Sequence, residues 1–161
     1  MVEAGASSIK PLCIGVTGGT ASGKSTLCRR IMNSDIGQKI ALVSLDMFYK
    51  GLSADQNRED IDAYNFDHPD AIDFDIAYTA MTDLLNGQST EIPTYDVCTA
   101  RRTDVKTTIN PAPIILFEGI HAFHESRFRD IMDMKVFVYC PDDIRLGRRI
   151  ARDTTERNCT L

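Results

Sequence analysis

Gly18-Gly19-Thr20-Ala21-Ser22-Gly23-Lys24-Ser25 fills every position of the pattern G-x-x-x-x-G-K-[ST]. The stretch follows an apolar run, Pro11 to Thr17, that reads as a buried strand, and it leads into Lys24 to Met32, which reads as a helix. Strand, glycine-rich turn and helix are the setting this pattern needs. Glycines let backbone N–H groups converge on phosphate oxygens, and the helix N-terminus adds positive potential. Gly18, Gly19, Thr20, Ala21, Ser22 and Gly23 would form the cradle, with Lys24 reaching the β and γ phosphates and the Ser25 hydroxyl offered to Mg²⁺.

Beyond the loop, short apolar runs alternate with longer amphipathic ones, as in a layered α/β domain with a parallel sheet. Lys39 to Leu45 reads as a second strand, stopping at Asp46. His68-Pro69-Asp70 reads as the first turn of a helix, because proline suits that position, and Ile72, Ile76, Ala80, Leu84 and Leu85 continue it at helical spacing up to Asn86-Gly87. Thr90 to Ile109 is rich in Thr, Val and Tyr and broken by charge, so it reads as a hairpin outside the parallel sheet. Pro113 to Phe117 and Met134 to Cys140 read as two more buried strands with a helix between them. A last helix starts near Pro141-Asp142-Asp143, acids at the positive end of its dipole.

The chain has 161 residues, a formal net charge of −5 and 43% hydrophobic residues, the composition of one ordinary folded domain. Residues 11–161 are expected to form it, after a polar, small-residue tail over residues 1–10. Disorder and a disulfide miniprotein are excluded. The five cysteines are odd in number and form no C-x-x-C pair, which fits free thiols in a reducing, cytoplasmic compartment. No apolar stretch reaches the roughly 18 residues of a membrane span, and mild acidity argues against a nucleic-acid backbone as partner.

Two acids stand where a phosphoryl-transfer site needs them. Asp46 and Glu118 each follow an apolar run, so both should project from the carboxyl edge of the parallel sheet beside the phosphate loop. One could hold Mg²⁺ through water and the other orient or deprotonate an acceptor hydroxyl. Arg145, Arg148, Arg149 and Arg152 share one helix face, either a solvated stripe or a set of lid cations over the transferred phosphate, with Arg149 and Arg152 the better candidates. Asp67 is a candidate ligand contact, while His68 reads either as a contact or as a cap of the following helix. Tyr49, Phe66 and Tyr95 read equally as packing or as stacking partners for a planar ring. The residues themselves carry the reading as far as an ATP-dependent phosphotransferase, acceptor open.

Several segments together resemble the uridine–cytidine kinase family of P-loop kinases. They are Gly15 to Thr26, Asp46-Met47-Phe48-Tyr49, Asn65-Phe66-Asp67-His68-Pro69-Asp70-Ala71, Pro93-Thr94-Tyr95-Asp96, Phe117-Glu118-Gly119-Ile120, Arg145 to Asp153, and Glu156-Arg157. The resemblance implies a three-layer α/β/α P-loop kinase fold with a β-hairpin lid, and transfer of the γ-phosphate of ATP, with GTP as an alternative donor, to the 5′-hydroxyl of uridine or cytidine. It further implies that Asp46 is the general base, that Asp67 holds the ribose hydroxyls, that Tyr95 contacts the base, that Glu118 joins the magnesium shell, and that Arg149 and Arg152 are lid cations. Thr26 belongs to the nucleotide-binding stretch on the same ground, and family enzymes are commonly homo-oligomers, so a homo-oligomer or a complex with a full-length relative is expected.

Three departures from the family pattern stand out. Where the family places an aromatic residue and a histidine that reads the pyrimidine edge, this chain has Val97 and Ala100, so Arg101 or Arg102 would have to substitute. Where the family's lid carries a second arginine, Cys159 stands. The family also continues past the equivalent of Leu161 with a lid helix and a last parallel strand, so four strands are expected where the family has five. Two other functions fit the same residues: a phosphoribulokinase-like or pantothenate kinase-like enzyme, and a nucleotide-binding form with little turnover that modulates a full-length partner.

Overall fold

β1 (Leu12–Thr17) is the strand on which the site is built, and every residue of its second half from Gly15 to Thr17 is buried. The computed structural model describes residues 10–52 and 64–155; the tail, Glu156-Arg157 and Cys159 lie outside them. The element order is β1, α1 (Lys24–Met32), β2 (Ile40–Ser44), α2 (Phe74–Leu85), β3 (Thr90–Asp96), β4 (Arg101–Ile109), β5 (Ile114–Glu118), α3 (Ser126–Ile131), β6 (Met134–Phe137) and α4 (Asp142–Thr155). The fold is α/β, with a four-stranded parallel sheet in the order β2-β5-β1-β6 and a separate antiparallel hairpin of β3 and β4.

Side chains alternate across the sheet, so each strand feeds two layers. Cys13, Val43, Ile115 and Phe117 join one apolar cluster with Ala77, Ala80, Met81 and Leu84 of α2 and Phe128 of α3. Phe117 and Phe128 stack with ring centroids 5.0 Å apart. Val16 and Leu116, buried but outside that cluster, belong to the other face, where α1 contacts β5 and buries Cys28 completely. Within the described residues β2 and β6 are the edge strands, and Met134, Phe137 and Tyr139 at the β6 edge are exposed, as are Leu146 and Ile150 of α4.

The second helix does not begin at Pro69. Pro69–Ala71 is a single 3-10 turn capped by His68, after which the backbone extends at Ile72 to form an isolated antiparallel bridge with Tyr49. The helix then starts at Phe74 under the Asp73 cap, whose carboxylate accepts from Ile76 N at 3.3 Å. Ile76 is consequently turned outward and 40% exposed rather than on the core face. Two strands are shorter than their apolar runs: β2 ends at Ser44, with Asp46 inside a 3-10 turn over Leu45–Phe48, and β6 ends at Phe137. In the hairpin the register shifts between Pro93 and Thr94, at the residue that has no N–H to donate.

Candidate active site

The phosphate loop leaves β1 at Gly18 and turns into α1 at Gly23. Gly18 runs so close to Val138 O that a Cβ there would strike it, and Gly23 takes φ +104°, a left-handed conformation that side chains disfavour. Ala21 in the loop and Ala100 in the hairpin turn are the two non-glycine residues of the described chain with positive φ, and both line the same cavity. Backbone strain of that kind concentrates at functional sites.

Lys24 is 7% exposed and donates to Gly19 O at 3.0 Å. Burial pulls its ammonium below the ordinary lysine value, a pull that the nearby Glu118 and Asp46 carboxylates oppose. Glu118, at the carboxyl end of β5, is 5% exposed and accepts from Ser44 Oγ at 3.0 Å and Ser25 Oγ at 3.3 Å. Burial, and then the Asp46 charge, push its carboxyl above the ordinary glutamate value; the two serines and Lys24 pull it back. Ser44 carries no sequence signal of this role, because nothing at a strand end announces the acid it meets across the sheet.

These groups open onto a cavity of about 910 Å³. Thr20, Ala21, Gly23, Lys24, Ser25 and Thr26 line it from the phosphate loop, Asp46 and Tyr49 from the turn after β2, and Phe66 and Asp67 from the loop before α2. Tyr95, Val97, Cys98 and Ala100 line it from the hairpin, and Arg148, Arg149 and Arg152 from α4. Gly18 and Gly19 face a second cavity of about 420 Å³, which shares Thr20, Asp67, Ile120 and Arg149 with the first. Ser22 lines neither, but its hydroxyl is buried in the loop without a hydrogen-bond partner.

Arg145, Arg149 and Arg152 of α4 are engaged with acids and carbonyls, and Arg148 donates to Cys140 Sγ at 3.5 Å. Arg149 Nη1 reaches Asp67 Oδ2 at 3.2 Å and its Nε reaches Asp153 at 3.4 Å. Burial would lower its affinity for its proton, yet the Asp67 and Asp153 charges outweigh that and raise it. Arg152 also pairs with Asp153, at 2.8 Å, and Arg145 lies over Gly19 and donates to Thr20 O at 3.5 Å.

The aromatic candidates pack against one another on the cavity wall. Tyr49 and Tyr95 rings lie 5.3 Å apart and both line the cavity, while the Tyr49 hydroxyl donates to Phe66 O at 3.0 Å. His68 is placed outside the cavity: its Nδ1 accepts from Asp70 N at 3.2 Å, the capping geometry. Arg102 does not substitute as a reader. Its guanidinium donates to Tyr49 O at 2.7 Å, Phe48 O at 3.0 Å and Asp73 at 3.4 Å, and neither Arg101 nor Arg102 lines the cavity, so beside Tyr95 the hairpin presents Val97, Cys98 and Ala100 there.

Magnesium fits this donor set in the way it usually binds beside phosphates, through a hydroxyl, a carboxylate and water. The described residues hold no cluster of three or more acidic, histidine or cysteine side chains that would make an all-protein metal cage. Ser25 and Glu118 are the residues that would hold the ion, and the orphaned Ser22 hydroxyl and the loop amides suit a polyphosphate.

A sequence profile described as "Phosphoribulokinase / Uridine kinase family" matches residues 13–161. The chain is 45% identical over 151 residues to uridine-cytidine kinase B of Dictyostelium discoideum, covering 94% of this chain and 62% of that protein. It is 47% identical over 149 residues to the chloroplastic uridine/cytidine kinase UKL1 of Arabidopsis thaliana, covering 92% and 31%. To uridine-cytidine kinase 2-B of Danio rerio it is 40% identical, covering 94% and 61%, so it spans about three fifths or less of these relatives' lengths. In fold it resembles the solved structure of a "possible uridine kinase" from Bacillus stearothermophilus, with a TM-score of 0.63 at 19% identity over 92% of this chain and 84% of that one. D-glycerate 3-kinase from Cryptococcus neoformans superposes with a TM-score of 0.60 at 16% identity over 94% and 73%.

Proposed function

The chain belongs to the phosphoribulokinase / uridine kinase family, and from that premise we propose that it transfers the γ-phosphoryl group of ATP to the 5′-hydroxyl of uridine or cytidine. The observation that carries the reading is one shared cavity. Lys24, Ser25 and Glu118 on the phosphate side open onto the same space as Asp46, Asp67 and Tyr95 on the acceptor side, and Arg149 and Arg152 line it too.

In this mechanism the loop amides and Lys24 bind the β and γ phosphates, and Ser25 and Glu118 hold Mg²⁺, which supplies charge neutralisation when bound. Asp46 accepts the proton of the attacking hydroxyl, supported by its position on the cavity wall beyond β2. Asp67 receives the ribose hydroxyls, and Tyr49, Phe66 and Tyr95 pack the base. Arg149 and Arg152 spread the charge of the moving phosphoryl group, and the walls of the cavity keep water from competing with the acceptor.

GTP as a second donor, a cytoplasmic location and assembly as a homo-oligomer or with a longer relative belong to the same proposal. Among the described residues no helix is long and apolar enough to cross a membrane. A second reading, nucleotide binding with little turnover, is favoured by Val97 and Ala100 where a polar base contact would serve. UMP formation from uridine, ATP and Mg²⁺, measured beside ATP-binding calorimetry on the same sample, separates the two. Turnover that vanishes in Lys24→Ala supports the kinase; folded protein that binds ATP and makes neither UMP nor CMP supports the second reading.

A further inference from the structure

Two successive carbonyls of the loop before α2 are held by side chains from two other parts of the fold. Phe66 O accepts from the Tyr49 hydroxyl at 3.0 Å, and Asp67 O lies 2.9 Å from His121 Nε2, a contact that spans 54 residues of sequence. We infer that His121 is a positioning residue for the acceptor nucleoside, fixing Asp67 through its main chain so that the carboxylate is presented to the cavity. The inference rests on the nucleoside kinase reading above.

His121 is suited to this because its own turn is fixed. The turn follows Glu118 at the end of β5, and Thr17, the last residue of β1, donates its hydroxyl to Gly119 O at 2.9 Å and Ile120 O at 3.1 Å. Gly119 N donates to Val16 O at 3.1 Å, and His124 N to His121 O at 2.9 Å. A connected set of hydrogen bonds therefore runs from the strand that launches the phosphate loop, through the turn, to the residue assigned to the ribose. Donor and acceptor substrates are referred to one frame, which is what holding a hydroxyl in line with a phosphorus atom requires.

The chemistry of the contact is specific. A carbonyl only accepts, so the proton is on Nε2; the neutral Nε2–H tautomer and the imidazolium both satisfy this. Nε2 is thereby committed as a donor and is not a base for the reaction. The clamp leaves the Asp67 carboxylate to Arg149 and the cavity. An aliphatic residue at this position would leave Asp67 O without its donor, whereas glutamine places an amide N–H near the position of Nε2.

The test compares the parent with His121→Leu and His121→Gln by steady-state kinetics in uridine and in ATP, and by amide hydrogen exchange over residues 64–68 without ligands. Loss of one hydrogen bond of this kind corresponds to about a three- to tenfold effect. We expect His121→Leu to raise the KM for uridine by about that factor, to leave the KM for ATP within about twofold, and to speed exchange over residues 64–68, with His121→Gln recovering both. Parent-level uridine KM and exchange in His121→Leu would overturn the inference. So would a parallel rise of both KM values that glutamine does not rescue, the signature of a merely structural role. A parent that makes no UMP overturns the substrate reading instead, and the exchange comparison with its glutamine rescue then decides alone whether His121 holds Asp67.

Discussion

Asp67 and Arg149, 82 residues apart, face each other at 3.2 Å on the wall that the two cavities share. One partner is assigned to the acceptor and the other to the phosphoryl group, so each group occupies the other until substrates arrive. Both side chains are about half exposed, which limits the pair to under about 1 kcal/mol of stability. Asp67→Ala should raise the KM for uridine by about tenfold or more, and Arg149→Ala should lower kcat by about 10³-fold, with both melting temperatures within about 4 °C of the parent. Loss of fold in either variant, or an effect of Arg149→Ala confined to KM, would contradict this division of labour.

Asp46 stands in a 3-10 turn beyond β2 and lines the cavity beside Lys24. Asp46→Asn keeps the shape and removes the proton acceptor. Single-turnover transfer should fall by about 10² to 10⁴-fold while ATP affinity stays within about threefold. Transfer at the parent rate in a preparation that binds ATP would remove Asp46 from the role of base.

Glu118 predicts a pH effect of definite sign. Burial, then the Asp46 charge, hold its carboxyl above the ordinary value, so the native protein keeps this proton more tightly than the unfolded chain does. In the ligand-free protein its contribution to stability is therefore fullest below the unfolded glutamate value and is lost as pH rises through the elevated native one. Glu118→Gln should flatten that decline and stabilise the ligand-free protein near neutral pH by on the order of 1 kcal/mol, at the cost of Mg²⁺-dependent ATP binding. Urea unfolding of both proteins from about pH 5 to about pH 8 gives the comparison, and curves that run parallel would refute it.

The cysteines should differ in reactivity. Burial pushes the Cys13 and Cys28 thiols up to about 11, with the Asp133 carboxylate adding to the effect at Cys13 and Glu118 at Cys28. Cys98 is exposed and lines the cavity. Alkylation at about pH 8 followed by mass spectrometry should mark Cys98 and spare Cys13 and Cys28 in the folded protein, and saturating uridine should slow the marking of Cys98. Equal labelling of Cys98 with and without uridine would place the nucleoside elsewhere.

Some of this was legible from the chain because its determinants are local. The phosphate loop is eight consecutive residues between a strand and a helix, and α1 runs over Lys24–Met32, as its pattern predicted. The Thr90 to Ile109 excursion likewise forms β3 and β4, apart from the parallel sheet. What escaped depends on partners distant in sequence. Pro69 suits the first residue of either an α-helix or a 3-10 turn, and the bridge between Ile72 and Tyr49 decides for the turn. Arg102 carries the charge of a ligand reader, yet three acceptors from the turn after β2 and from Asp73 claim it. The spacing of Arg145, Arg148, Arg149 and Arg152 showed a common face but not that Asp67 and Asp153 would meet it. His121 has no sequence signal at all, since its acceptor is a main-chain carbonyl.

The order of the parallel sheet also shapes how the molecule comes into being. β5 lies between β1 and β2, and the register sets both Leu12 and Ile40 beside Ile114. During synthesis β1 is made about 100 residues and β2 about 70 residues ahead of the Ile114 segment that pairs with both. The phosphate loop is thus hung from a strand whose pairing with β5 is a long-range one, so the cradle and the sheet beneath it depend on contacts that are slow to form.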